Sequence, residues 1–303
     1  MNFIINKYLE EMKQTKSDST VKNHTSTLNK FVAFTGVNEP IEVLPEDVMS
    51  FKKHLLQNGT SASANTQMKR VKAFFKWCVA ENIMQFSPAE DIKLVTEAEA
   101  LPKWLNKDQK GVLLRAIKRD FLGEAVAEKK KSYRELLLVL LMLKCGLRVG
   151  ELVNLKLKDV TVTDRKGSLY IRADKNGIHR TVPMTSDVLK IFKLYIEHHK
   201  PAGEYVFFTR QSPKMSERTV QTLLNRYVGL KTETATIEEL TPHMLRHTFA
   251  HDLALGNMAI ESIARLMGHF KKNGQPNIQQ TIRYTMKSTG EIFDEVEDIL
   301  GLN

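Results

Sequence analysis

The sequence is poor in cysteine, in long apolar runs and in internal pattern. Only two cysteines, Cys78 and Cys145, occur in 303 residues. Both lie in apolar, helical-looking surroundings, which predicts reduced thiols packed in cores and no disulfide framework. The longest apolar stretch, Leu136 to Leu143, falls far short of the roughly 20 residues that a membrane span needs. The N-terminus lacks a basic region followed by an apolar signal core, so a cytoplasmic protein with no membrane partner is expected. No internal repeat, low-complexity segment or P-loop is present. Nor is there a compact cluster of Asp and Glu with metal-ligand spacing, which argues against two-metal nuclease chemistry. No cofactor and no metal are expected.

What is present points to a polyanion. A length of 303 residues favours two units with separate cores, and 42% apolar residues suffice for both. The formal net charge is +10 and the pI near 9.4, a balance that suits nucleic acid but is shared with ribosomal and membrane-surface proteins. Its distribution is uneven. Residues 1–100 hold 12 Lys and Arg against 12 Asp and Glu, whereas residues 101–303 hold 33 against 23.

Helical periodicity recurs four times in the first hundred residues, at about Phe3–Met12, Thr20–Phe34, Pro45–Leu56 and Ala64–Ala80. Ser19 is a plausible N-cap of the second helix, and Pro45 suits the first position of the third. A four-helix domain over residues 1–90 is predicted. In its fourth helix Val71, Phe74, Phe75, Cys78 and Val79 form an apolar stripe. Lys69, Lys72 and Lys76 recur on another face, either solvated or in contact with phosphates. The pattern dissolves into a linker at 91–105, and a second domain is predicted over 106–303. Helices are expected there at Lys107–Arg119 and Tyr133–Lys144, then from Val149 after a break at Gly146. Short strands follow at Asp159–Thr163, Ser168–Arg172 and Arg180–Pro183. From Ser186 onward the chain reads as helical, apart from loops around Pro213 and Asn273-Gly274.

Four segments carry chemistry. In Thr241-Pro242-His243-Met244-Leu245-Arg246-His247, Thr at the N-cap and Pro at N1 announce a helix start, an end that attracts anions. His243 and Arg246 then share one face of the first turn, where an imidazole and a guanidinium fork can address a phosphate. In Gly146-Leu147-Arg148-Val149-Gly150-Glu151, Gly146 breaks a helix and Glu151 can hold the Arg148 side chain. By itself such a pair is commonly a surface ion pair. Asn176-Gly177 favours a tight hairpin turn with Lys175 at its tip. Gly268-His269 lies 15 residues before Tyr284, and a lone His or Tyr is ordinarily a packing residue.

Taken in order, these segments resemble the tyrosine recombinase (phage integrase) family, of Xer-like type. The resemblance rests on Gly146-Leu147-Arg148 with Glu151-Leu152, Lys175 with Arg180 and Val182-Pro183, Thr241 through Ala250, Gly268-His269, and Tyr284. It covers nearly the whole chain. It implies a mainly α fold with a small β-sheet, in which an N-terminal four-helix, SAM-like core-binding domain precedes an α+β catalytic domain. It further implies that Arg148 and Arg246 hold the scissile phosphate and that Tyr284 attacks it. His243 would serve as general base or hydrogen-bond donor, Lys175 as general acid, His269 as a further phosphate ligand and Glu151 as a support. Lys69, Lys72, Lys76 and Arg180 are expected to contact DNA. The partner implied is double-stranded DNA at specific sites, with a homotetramer assembled on DNA and a monomer or dimer off it.

These residue types suit the chemistry. A phenol begins near pKa 10 and needs a base or a cationic setting to attack at neutral pH. Two guanidiniums stabilise charge that builds on the phosphoryl oxygens, a role in which one lost donor can cost about 10²–10³ in rate. The phosphotyrosine link preserves the energy of the broken ester, so religation needs no ATP. The sequence departs from the family at one place. The usual interval from the His of the Gly-His pair to the Tyr is nine or ten residues, and Lys271 to Pro276 reads as an insertion. It could be a surface extension, a DNA-contacting loop, or a change that lets Tyr284 swing away from Arg148 and Arg246. The alternative function is a DNA-binding regulator that keeps the fold without strand exchange; a nicking and resealing topoisomerase is a third.

Overall fold

Apolar residues at helical spacing, closed by short polar turns, give the first hundred residues four helices: α1 (Asn2–Thr15), α2 (Asp18–Thr35), α3 (Pro45–Gln57) and α4 (Ser61–Ala80). This computed structural model describes residues 1–96, 102–122, 126–172, 178–201, 203–271, 273–284, 286 and 289–301. The chain divides into two units between Ala100 and Leu101. In the first unit Phe31, Phe51, Phe74 and Phe75 are buried together. Phe31 meets Phe51 and Phe75 edge-on, at ring separations of 5.1 and 5.7 Å, the arrangement that ring quadrupoles favour.

The N-cap of α2 is Ser17 and not Ser19. The backbone is extended at Ser17, and its hydroxyl accepts from the Thr20 amide. Packing of this unit continues past residue 90. Ile92 is buried in its core, and the Asn65 side chain exchanges two hydrogen bonds with the Val95 backbone, at 2.8 and 2.9 Å. At the far end of the expected linker, Leu105 is buried in the second core.

The second unit is built around α6 (Val126–Cys145), whose residues 136–143 are buried on every side. An all-round apolar helix can satisfy itself only at the centre of a domain. α5 (Lys107–Leu122) precedes it, α7 (Val149–Val153) follows it, and α8 (Ser186–His199) and α10 (Pro242–Leu255) pack against it. Among the described residues one sheet occurs, with antiparallel order β1 (Val160–Val162), β2 (Gly167–Ile171) and β3 (Arg180–Met184). Register pairs Leu169 with Val182 and Ile171 with Arg180. The hairpin tip expected between β2 and β3, with Lys175, Asn176 and Gly177, lies outside the described residues.

The expectation of helix from Ser186 onward needs a correction. Between α9 (Glu217–Asn225) and α10 the chain forms a bridged turn, Lys231 against Thr236, and Gly229 takes the left-handed conformation. β-Branched Thr232, Thr234 and Thr236 favour that extended course over helix. α11 (Ile260–Met267), α12 (Ile278–Ile282) and α13 (Thr289–Leu300) complete the unit. Both cysteines are buried, and burial pushes each thiol up to about 12, as suits packed, unreactive sulfur.

Candidate active site

Glu151 is the hub of the site. Arg148 occupies the N-cap of α7 in extended conformation. Its amide donates to Glu151 Oε2 and its Nη1 to Oε1, each at 2.8 Å. Arg180 grips the same carboxylate in a fork, Nη1 to Oε1 at 2.8 Å and Nη2 to Oε2 at 2.7 Å. Arg246 Nη1 stands 3.5 Å from Oε2. Burial pushes the Glu151 carboxyl up, but the Arg180 hydrogen bonds and charge, with those of Arg246 and Arg148, prevail and hold it down at about 2. Three guanidiniums thus surround one carboxylate, leaving positive charge in excess where an anion would be received.

Arg246 comes from the second turn of α10, whose start is capped as the sequence predicts. Thr241 Oγ1 accepts from the Met244 amide at 3.2 Å, and Pro242 stands at the first position. The Arg246 side chain is buried. Its Nη1 donates to the Gly146 carbonyl at 2.6 Å, its Nη2 to that of Met267, and Nη2 also approaches His269 Nε2 at 3.4 Å. Burial, then the Arg148 charge, lowers this guanidinium to about 9, so it stays charged at neutral pH. Gly146 makes the approach possible. It has φ +63°, and a Cβ there would lie 2.2 Å from the Phe249 ring.

His269 follows Gly268, the left-handed cap of α11. Its Nδ1 is 3.0 Å from Thr281 Oγ1, whose own proton goes to the Asn277 carbonyl at 2.9 Å. The Nδ1–H tautomer therefore fits, leaving Nε2 as an acceptor toward Arg246. Burial, then the Arg246, Arg148 and Arg180 charges, lowers His269 to about 3.

Tyr284 lies two residues past α12, half-buried against Phe249, Ala250, Ile263 and Met267. Its ring is 5.6 Å from that of His269 and 4.7 Å from that of His247. The long interval before it is folded back on itself. Phe270 bridges Pro276, Lys271 N donates to Gln275 O at 2.8 Å, and Asn277 N donates to His269 O at 2.7 Å. The insertion, described at Lys271 and at residues 273–276, is thus closed at its base and leaves Tyr284 beside His269. His243, on the first turn of α10, is exposed, and its ring is 6.0 Å from that of His247.

Two expected DNA contacts stand otherwise. Arg180 turns inward, because strand alternation puts it on the same face of β3 as buried Val182 and Met184; its Nε donates to Leu266 O at 2.7 Å. Lys72 spends its ammonium on the carbonyls of Glu90 and Ile92, both at 3.0 Å. Lys69 and Lys76 are exposed, beside exposed Phe86 along the same groove. Lys175 lies outside the described residues. Sequence reading missed His247, His251 and Trp104. The signal was there, as His247 and His251 are one turn apart on α10. Among the described residues no group of three His, Cys, Asp or Glu side chains could hold a metal ion, and no helix is long and apolar enough to cross a membrane.

Comparison with known proteins finds relatives over nearly the whole chain. The model of the phage integrase family matches residues 103–291, and that of the phage integrase N-terminal SAM-like domain matches residues 4–85. Tyrosine recombinase XerA of Pyrococcus furiosus is 29% identical over 293 residues, covering 94% of this chain and 92% of that protein. Tyrosine recombinase XerA of Thermococcus kodakarensis is 30% identical over 258 residues, with 84% and 82% covered. Among solved structures, the Tn1549 transposon integrase in complex with transposon right end DNA superposes with a TM-score of 0.71 at 20% identity, over 99% of each chain. The XerH site-specific recombinase in a post-cleavage complex with difH substrate gives 0.74 at 17% identity, over 97% of this chain and 83% of that one. With both units matched and the arginine–histidine–tyrosine cluster assembled in the second, the chain belongs to the phage integrase family, the tyrosine recombinases.

Proposed function

We propose that this protein cuts and rejoins double-stranded DNA at specific sites through a 3′-phosphotyrosine on Tyr284. The observation that carries the reading is the Tyr284 ring set 5.6 Å from His269, on a chain whose insertion closes on itself. Arg148, with about a third of its side chain exposed, offers the accessible guanidinium to the scissile phosphate. Arg246 joins it by exchanging its weak 3.4 Å contact with His269 for a phosphate oxygen. His269 then donates from Nε2 as it takes up a proton, which the phosphate charge favours.

In the transfer, Tyr284 Oη forms a bond to phosphorus as the bond to the 5′ oxygen breaks. The phenol proton passes to a base, a role this reading gives to His243, exposed on the first turn of α10. Lys175 supplies the proton that the departing 5′ oxygen takes. Attack by a 5′-hydroxyl on the phosphotyrosine reverses these steps and reseals a strand. In this reading the protein acts in the cytoplasm for a mobile element, as a homotetramer assembled on DNA from monomers or dimers. A DNA-binding regulator without strand exchange draws support from the near-neutral first hundred residues and from the stretched interval before Tyr284; the closure of that interval on itself weighs against the second of these.

The test uses a binding site recovered from fragmented source DNA by retention on the protein, rebuilt as nicked duplexes that let the cleaved end diffuse away. A denaturation-resistant protein–DNA adduct is expected from the wild type and none from Tyr284→Phe. Specific binding with no adduct would favour the regulator. Relaxation of supercoils without exchange between two sites would favour the topoisomerase.

A further inference from the structure

The irregular segment by which the chain enters the second unit is fastened to α10 by three consecutive residues. Lys103 O is 3.2 Å from His247 Nδ1. The Trp104 ring stacks on His251 at 4.1 Å and 20°. Leu105 N donates to Thr248 Oγ1 at 2.9 Å. The two histidines so engaged, one turn apart on α10, both also touch the nucleophile's residue. The His247 ring lies 4.7 Å from the Tyr284 ring, and His251 Nδ1 is 3.2 Å from the Tyr284 carbonyl. His251 Nε2 also meets Glu291 Oε1 at 2.8 Å, on the first turn of α13. His251 is thus a buried block with Trp104 stacked on its ring face and, at its two ring nitrogens, the Tyr284 carbonyl and the Glu291 carboxylate.

From these contacts we infer that Trp104, His247 and His251 are positioning residues for Tyr284, and that the segment 102–105 is part of the cleavage apparatus. The physical reason is leverage. Tyr284 follows a helix of five residues and is secured by its amide to Thr281 O at 2.9 Å and by its carbonyl to His251. So short an element defines a backbone position weakly, and a phenol oxygen at the end of a long side chain amplifies any backbone rotation. A misplacement of about 1 Å at a reacting atom can cost about 10²-fold in rate. The Trp104–His251 stack fixes the pivot, and the neutral His247 ring limits the swing of the phenol. None of these three side chains needs to touch phosphate, so their removal should slow cleavage and leave DNA affinity intact.

The inference rests on Tyr284 as nucleophile, and one set of measurements separates the two. Adduct formation on the nicked duplex is followed under single turnover with protein in excess, and affinity is measured on the same duplex. Trp104→Ala and His251→Ala are each expected to slow the adduct at least tenfold with affinity within twofold of wild type. Trp104→Phe, which keeps a flat ring for the stack, is expected to stay within threefold in rate. Cleavage by Trp104→Ala at the wild-type rate, or a Trp104→Phe protein as slow as Trp104→Ala, would overturn the inference. So would a fall in affinity that accounts for the whole loss. Should His251→Ala not fold, the pair at half-buried Trp104 decides. An adduct that survives Tyr284→Phe, or its absence in wild type, instead overturns the nucleophile reading and this inference with it.

Discussion

The Asn277 amide donates to the His269 carbonyl at 2.7 Å, so two residues eight apart in sequence are hydrogen-bonded neighbours at the base of a hairpin. His269 Nδ1 then reaches Thr281 Oγ1 at 3.0 Å, one turn into the helix that leads to Tyr284. The extra residues leave the site at one point and return to it at the same point.

That closure predicts that the hairpin is dispensable for the chemistry. Replacing residues 271–275 with a two-residue Asn-Gly turn should leave the single-turnover cleavage rate within about threefold of wild type, since a short turn can keep the His269–Asn277 bond. If the hairpin contacts phosphate, the loss will appear as weaker binding. A rate loss above tenfold at saturating DNA would show that the hairpin itself positions Tyr284.

Arg180→Ala should behave as a stability mutation and not as a DNA-contact mutation. It removes both fork bonds to Glu151, a carboxylate only 9% exposed. Breaking a buried pair costs about 3–5 kcal/mol, and the remaining Arg148 and Arg246 should reduce this to about 2–4 kcal/mol. The denaturant midpoint should fall accordingly, while the salt dependence of DNA affinity keeps its slope. A slope lowered by about one unit would place Arg180 on a phosphate instead.

At Gly146 two penalties coincide. Gly146→Ala imposes a side chain at φ +63° and sets its Cβ against the buried Phe249 ring; a cost of about 2–4 kcal/mol is expected in urea unfolding. Because the Gly146 carbonyl receives Arg246, cleavage should fall at least tenfold as well. Gly274→Ala is the control. Its φ is +80° but its Cβ would meet open space, so only strain of about 1 kcal/mol is expected.

Acid should weaken the second unit in two stages. His269 is lowered to about 3 by burial and by its arginine neighbours. The unfolded chain therefore binds a proton that the folded one refuses as pH falls from about 6.5, and stability is lost down to the folded value. Glu151, held at about 2, is also depressed, and its contribution is lost between about pH 4.3 and pH 2. Each loss should be on the order of a few kcal/mol. Unfolding of wild type and His269→Gln from pH 7 to pH 4 checks the first stage: the variant should show a flatter decline, and parallel curves would contradict it.

Much of the fold was legible because periodicity reports directly on burial. The four helices of the first unit start and end within a few residues of their predicted bounds, and the cap error at α2 arose where Ser17, Ser19 and Thr20 all offer a capping hydroxyl. The turn between α9 and α10 was missed because its threonines and glycine were read as part of a helical stretch. In the site, the ordered motifs named Arg148, Glu151, Arg246, His269 and Tyr284, and all five converge. The inward turn of Arg180, of which a DNA contact was expected, was readable too, from its parity with Val182 and Met184.

Other relationships had no sequence signal. Lys72 sits on the same periodic face as Lys69 and Lys76, yet its ammonium is occupied, because the chain after α4 folds back to present two carbonyls. Trp104 and His251 stack across 147 residues of sequence, a pairing that neither residue's neighbours announce. The sequence by itself determined which chemical groups are present, on which faces they lie and the family they make up, since those follow from residue type and from the 2.0 and 3.6 periods of strand and helix. Only the tertiary structure decided which arginine is buried on Glu151 and which keeps an exposed guanidinium, and whether the lengthened interval separates Tyr284 from His269. Periodicity specifies a face and never the partner across from it; that choice is made by packing.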